Sequence, residues 1–554
     1  MKWLQLGIFI FLLTSRFFAF EINIEDKSQN EIEIEITFQP NDLNPLSFKT
    51  NGISFSRIPL TNEALLFEEA GLPEIPKIHR WLIINSNANY QIKTNPGRHT
   101  LHKDVILYPR QGDHLETDIP RFNMNKLAYM RNFWFGSSQA TLGAPAKLGA
   151  LTVLPISFSP VSYNPRRKEL KVYESIKVHL TNLNPNSHNS SITISQFTAE
   201  QARELTLNGK EYLSTRTRIQ ASKKLCLVYS PTLKPIAEEL AGIHQFEGNE
   251  TNLVELPVGT SADNLKKLLL SKYQTQNIDA VLFLGDEKMI PLGTSGGSTG
   301  DFSYGLLSGN DQISDISVGR VPAKNEVQGR SMLHKIKTHL ALKAKGVINK
   351  KVMLIAHKQD YPGKYTKNLE SIRAASNPRE LEYTTQYGGE KAQNTTVIVE
   401  AQKGYAILNY RGHGSTSSWS SWGRDGASFS TNHVKALPDN ENGLSFIFNV
   451  ACSNGAVQSS GVALVEQQLF PSTNEETLQG AIGTFGATAP SMTETNHRFN
   501  RNLFEFLQVA QDLSIGNIYT LANNKLTKDN GGSATSNTKM YVLYSDPLLA
   551  PLFE

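Results

Sequence analysis

The sequence predicts a two-part chain: an all-β, sandwich-like amino-terminal region, then an α/β region with a mostly parallel sheet between helices. Three observations carry this. Glu31-Ile32-Glu33-Ile34-Glu35-Ile36 alternates with period two, which puts its three isoleucines on one face of a half-buried strand. From residue 223 onward, continuous apolar runs such as Leu225–Tyr229 and Ala280–Leu284 alternate with helical periodicity, the pattern of a parallel sheet covered on both faces. Between the two lies a polar stretch, 182–222, rich in Asn, Ser and Thr.

In chain order, residues 1–20 read as a secretory signal peptide. Lys2 gives a positive start, Leu4–Leu13 is largely apolar, and Ala19 offers a small residue for cleavage. That run is too short to span a bilayer, and no later run is long enough, so no membrane span is expected. Residues 21–190 form the β-rich domain. Trp81–Ile84, Lys103–Tyr108 and Glu169–Tyr173 read as strands, the last as a hairpin arm after the Asn164-Pro165 turn. Residues 191–222 read as an accessible linker that holds the activation site. Residues 223–554 form the α/β domain, in one or two subdomains. Its helices carry Ile236, Leu240 and Ile243; Leu265, Leu268 and Leu269 behind a capping Asp263; Leu333, Ile336 and Leu340; and Phe499, Leu503, Phe506 and Leu507.

Composition narrows the function. Against 55 Lys and Arg stand 51 Asp and Glu among 554 residues, and a net charge of +4 gives no electrostatic case for nucleic-acid binding. There are 2 cysteines, Cys226 and Cys452, so neither a disulfide scaffold nor a multi-cysteine zinc site can be built. Cys226 lies inside an apolar run and reads as core filling. No His-Glu-x-x-His is present and no metal is assigned.

Cys452 stands elsewhere. In an open α/β sheet, functional residues sit just beyond the carboxyl ends of strands. Two apolar strands run directly into reactive residue types: Ala406–Asn409 into Tyr410-Arg411-Gly412-His413-Gly414, and Phe446–Val450 into Ala451-Cys452-Ser453-Asn454-Gly455. On adjacent parallel strands they present His413 and Cys452 at one edge. A free thiol is mostly protonated near neutral pH, and an imidazole can take its proton and later give one to a leaving amine. The amides of Gly414 and Cys452 are candidates for an oxyanion hole.

These blocks, with Thr431–Leu437, resemble the catalytic region of the gingipain-type cysteine peptidases, enzymes of the caspase-like fold. Leu284-Gly285-Asp286, Tyr304–Asp311, Val318-Gly319-Arg320 and Leu543–Pro547 are similar to the family as well. Leu72–Pro76 and the stretch from Phe158 to Leu180 resemble its β-rich propeptide. The resemblance implies a caspase-like catalytic domain behind an inhibitory propeptide, with His413 as catalytic histidine, Cys452 as nucleophile and Gly414 in the oxyanion hole. For the residue that orients the histidine it offers Asp360 and Gln359. It implies protein or peptide substrates, no cofactor for catalysis, and room for structural calcium, although no loop reads as an EF-hand.

The chain departs from the family in two places. Arginine-specific members hold an aspartate at the base of the pocket for the residue before the cleaved bond, whereas Lys364–Asn368 contains no carboxylate. Trp419 and Trp422, in the loop after His413, are candidates to line a substrate pocket, with Asp425 as substitute acid. The chain also ends at Glu554, where large gingipains continue into further modules, so the expectation is an exported protein, secreted or periplasmic. The reading from another class is an exported binding or scaffold protein on a degenerate caspase-like fold; the intact dyad with its glycines favours the enzyme.

Overall fold

The isoleucine alternation at Glu31–Phe38 is realised as a strand whose Ile34 and Ile36 are fully buried. The computed structural model describes residues 20–28, 30–59, 64–65, 69–118, 121–184, 191–440, 444–509, 513–530 and 535–554. All of the expected signal segment except Phe20 lies outside them, and so does 185–190.

The amino-terminal region packs two antiparallel sheets. One runs Phe20–Ser28, Glu31–Phe38, Ser175–Asn182, Tyr90–Pro96 in spatial order; the other centres on Lys77–Ile84 paired with Leu151–Phe158. Ile34, Ile36, Ile176 and Val178 of the first meet Ile78, Leu82, Leu154 and Ile156 of the second in one core, the layering of a β-sandwich. Glu169–Tyr173 pairs antiparallel with Val161–Asn164 as the hairpin arm expected. The strand expected at Lys103–Tyr108 does not form. It stops at His102, because Asp104 turns into the left-handed region at φ +57°, and Leu107 makes only an isolated bridge.

The segment expected to be a linker is folded. Ile192–Ile194 pairs in parallel with Thr217–Ile219, and between them stand the helices Gln196–Leu205 and Gly209–Arg216. Thr198, Gln201, Ala202 and Leu205, at helical spacing, make a buried face in which half the members are polar, so composition concealed it. Gln201 accepts a hydrogen bond from Asn524 at 2.6 Å, which offsets the burial of its side-chain oxygen, although its NH2 group has no partner among the described residues. Around this helix pair the two regions join. Asn208 bonds Ile83 in both directions, at 2.8 and 2.9 Å, while the Asp279 carboxylate accepts from the amides of Phe197 and Lys224.

The remainder is α/β, with two sheets. Glu250–Glu255, Lys224–Tyr229, Ala280–Leu284 and Ser317–Val321 form an all-parallel sheet of 4 strands. Glu382–Tyr387, Lys351–Ala356, Ile407–Arg411, Ser445–Val450, Ala481–Ala487 and Tyr541–Tyr544 form a sheet of 6, parallel except for the last strand. The sheets meet where Gly319 lies against Ser545, so close that a Cβ there would stand 2.3 Å from the Ser545 carbonyl oxygen. The helix at Ala262–Gln276 is capped by Ser261, not Asp263; the Ser261 hydroxyl accepts from the Asn264 amide. Cys226 is fully buried, as expected of a core residue. Among the described residues no helix is long and apolar enough to cross a membrane.

Candidate active site

Register decides the geometry. Arg411 and Val450 are partners on the parallel strands Ile407–Arg411 and Ser445–Val450, and His413 and Cys452 each follow two residues later. Both therefore leave the same edge of the sheet at the same level. The two turns touch: a Cβ on Gly414 would lie 2.3 Å from the Cys452 carbonyl oxygen, so no larger residue fits there.

His413 packs edge-on against the His357 ring at 4.7 Å and against Tyr365 at 5.5 Å. Its Nε2 donates to the Gln359 side-chain oxygen and stands 3.3 Å from the Tyr365 hydroxyl. Of the two expected orienters, Gln359 is thus at the imidazole. Asp360 is exposed, at φ +55°, and turned into the loop. Burial, then the nearby Lys364 charge, holds the imidazole below its ordinary pKa. The Cys452 thiol accepts from the Ser491 amide at 3.3 Å and lies 3.6 Å from its hydroxyl. Burial raises the thiol's pKa, against the lowering effect of the Ser491 hydrogen bonds. In this form the sulfur is bonded to Ser491 rather than to the imidazole, and both groups are held neutral.

The three residues expected to line a substrate pocket do not. Trp419 and Trp422 are core residues. Trp419 stacks on Tyr410 and Phe429, each at 4.5 Å, and donates to Asn449; Trp422 donates to Asn394. Asp425 is exposed and accepts from the Ala427 amide in its own turn.

What occupies the edge beside His413 and Cys452 is a segment of the amino-terminal region. Leu115 bridges antiparallel to Met492, the Glu116 amide donates to the Ser491 carbonyl, and the Thr493 amide donates to the His114 carbonyl. The Asp113 carboxylate accepts from the amides of Glu494 and Thr495, at the first turn of the helix Thr493–Val509. The Glu116 side chain is fully buried. It pairs with Arg411 and accepts from Tyr365 at 2.8 Å, Asn496 at 3.0 Å and Thr493 at 3.1 Å, with Lys364 at 3.6 Å. Burial alone would raise its pKa; Arg411 and the hydrogen bonds outweigh that and hold the carboxyl at about 2. Arg411 was visible inside the Asn-Tyr-Arg-Gly-His-Gly block, but nothing in the sequence pairs it with a glutamate so distant in the chain. Among the described residues no group of three or more His, Cys, Asp or Glu could hold a metal ion.

Residues 219–552 match the profile of peptidase family C25, and residues 24–203 match the C25 propeptide. The chain belongs to peptidase family C25. Among curated proteins this C25 chain is similar to gingipain R1 of Porphyromonas gingivalis, with 23% identity over 420 residues that cover 72% of the chain and 41% of the relative. To gingipain R2 of the same species it is also 23% identical, over 56% of that relative. The chain thus spans about half the length of these curated relatives. Among solved structures it resembles the crystal structure of the Arg-specific cysteine proteinase gingipain R. The TM-score is 0.53 at 18% identity, over 60% of this chain and 80% of that one. The complex of the pro- and mature domains of Porphyromonas gingivalis RgpB gives a TM-score of 0.51 over the same shares, again at 18% identity. The catalytic region thus has the caspase-like fold expected, behind an all-β propeptide.

Proposed function

We propose that this C25 chain is an exported cysteine endopeptidase, secreted or periplasmic, made as a zymogen. The observation that carries the reading is the common sheet edge from which Cys452 and His413 emerge at one level, with the propeptide segment 113–116 laid across it. Once that segment leaves, Cys452 gives its thiol proton to His413 and the thiolate attacks the substrate carbonyl. The amides of Gly414 and Cys452 stabilise the oxyanion, and Gln359 holds the imidazole ring. As the tetrahedral intermediate collapses, His413 passes the proton to the departing amine and a thioester to Cys452 remains. Water, deprotonated by His413, then releases the acid and restores the thiol.

Activation is a cut within 191–222, the segment across which the propeptide match gives way to the peptidase match. The propeptide acts as an intramolecular inhibitor until then. The test is activity on a peptide library, with amino-terminal sequencing of any product of self-processing. Cys452→Ala should abolish hydrolysis and leave the unfolding transition in place. Hydrolysis at the wild-type rate in that variant would remove the catalytic assignment and favour a binding protein on this fold.

A further inference from the structure

We infer that the pocket beside the dyad selects an acidic side chain, so that the enzyme cleaves after glutamate rather than after arginine or lysine. The inference rests on the cysteine peptidase reading and specifies its substrates. The decisive feature is the sign of the pocket. Its walls are Arg411, Lys364, Tyr365, Thr493 and Asn496, all of the catalytic region. Two are cations, and three are neutral side chains that each donate a hydrogen bond to the carboxylate. The Arg411 guanidinium is fully buried. Its other hydrogen bonds go to the carbonyl oxygens of Val450 and Thr493, and Tyr365 offers it a ring face at 5.0 Å. Its ion-pair partner among the described residues is Glu116, which the propeptide supplies.

When the propeptide leaves, the catalytic region keeps the Arg411 guanidinium with no carboxylate of its own against it. An incoming carboxylate restores the charge-assisted pair that Glu116 made. A basic side chain would instead put a third cation among Arg411 and Lys364.

The pocket also lies where the side chain next to the cleaved bond must go. Glu116 donates its amide to the Ser491 carbonyl, and Ser491 in turn bonds the Cys452 sulfur through its own amide. One hydroxyl, that of Tyr365, touches both the Glu116 carboxylate, at 2.8 Å, and the His413 imidazole, at 3.3 Å. The backbone beside Glu116 runs as an added antiparallel segment along 491–493, the manner in which extended peptides dock on sheet edges. Glu116 thus occupies the pocket as a substrate glutamate would.

The experiment uses the full chain carrying Glu116→Ala, nicked between residues 203 and 219 so that the segment 113–116 can leave the edge. Glu116→Gln, which loses the ion pair that holds the segment on Arg411, replaces it if the alanine variant does not fold. Peptidyl chloromethyl ketones identical except for a terminal Glu, Gln, Arg or Leu are added, and alkylation of Cys452 is followed by mass spectrometry, with iodoacetamide as a side-chain-blind control. The Glu probe should label Cys452 at least about 100-fold faster than the Arg probe, because its charge is opposite to those of Arg411 and Lys364 and that of the Arg probe is the same. Adding Arg411→Gln, so that no buried charge is left unpaired, should erase that preference. Equal or faster labelling by the Arg or Leu probe overturns the inference but leaves the peptidase reading standing. Labelling of Cys452 by iodoacetamide alone also overturns it. If neither iodoacetamide nor any probe labels Cys452 faster than Cys226, the peptidase reading falls and takes this inference with it.

Discussion

Glu116 shows how much can rest on one side chain. Its carboxyl has a pKa of about 2 in the folded chain against an ordinary 4.5, so the unfolded chain binds more protons between those values. The stabilisation is complete above the ordinary value and is lost as the pH falls toward the folded one. Its size is about 3 kcal/mol. Glu116→Gln removes the titrating group, so acid unfolding of that variant, followed by circular dichroism, should lose less stability between those two pH values than the wild type. Equal loss in both chains would mean that other carboxylates carry the acid sensitivity. The two cysteines differ in the same environmental terms. Cys226 is sealed in a strand, and burial pushes its thiol up to about 12, whereas Cys452 lies at a strand end with hydrogen-bond donors on its sulfur. The strand-end positions of Cys452 and His413 were legible because an apolar run stops directly at each. Arg411 was printed in the same block, yet its role depends on a charge supplied from across the fold, and periodicity carries no such information.

Among the elements, strands were read most reliably, since alternation and continuous apolar runs reflect burial directly. Lys103–Tyr108 misled because one left-handed residue, Asp104, interrupts a run that otherwise looks extended. The helix Gln196–Leu205 was missed for another reason. It buries Thr198 and Gln201 alongside Phe197 and Leu205, and a hydrogen-bonded glutamine satisfies a core position that hydropathy counts as surface. Phe197 is fully buried in the core that joins the two regions. Phe197→Ala should therefore lower the unfolding free energy of the full chain by about 3–5 kcal/mol. Denaturant titration checks this; a loss under about 1 kcal/mol would show that the helix is an appendage of the surface.

For the whole molecule, the same core makes cleavage and opening separate events. Trp81, Ile83, Leu151 and Val153 of the propeptide sheet pack in one cluster with Phe197, Leu225 and Leu227. The Arg411–Glu116 pair adds a charged contact at the far side. A chain cut between residues 203 and 219 should therefore elute as one particle in size-exclusion chromatography and come apart only on dilution or in denaturant. Immediate separation of the fragments after cleavage would show that the backbone connection, not the shared core, holds the propeptide. Asp113 matters once the two parts have separated. Its carboxylate accepts from the amides of Glu494 and Thr495 in the first turn of the helix Thr493–Val509, only a few residues from Ser491 and its hydrogen bond to the Cys452 sulfur. With the propeptide gone, those donors return to water and the turn regains conformational entropy. On the reading proposed above, latency would be a state of order: the covered chain keeps those turn donors paired, and a substrate would have to pair them again before the bond could break.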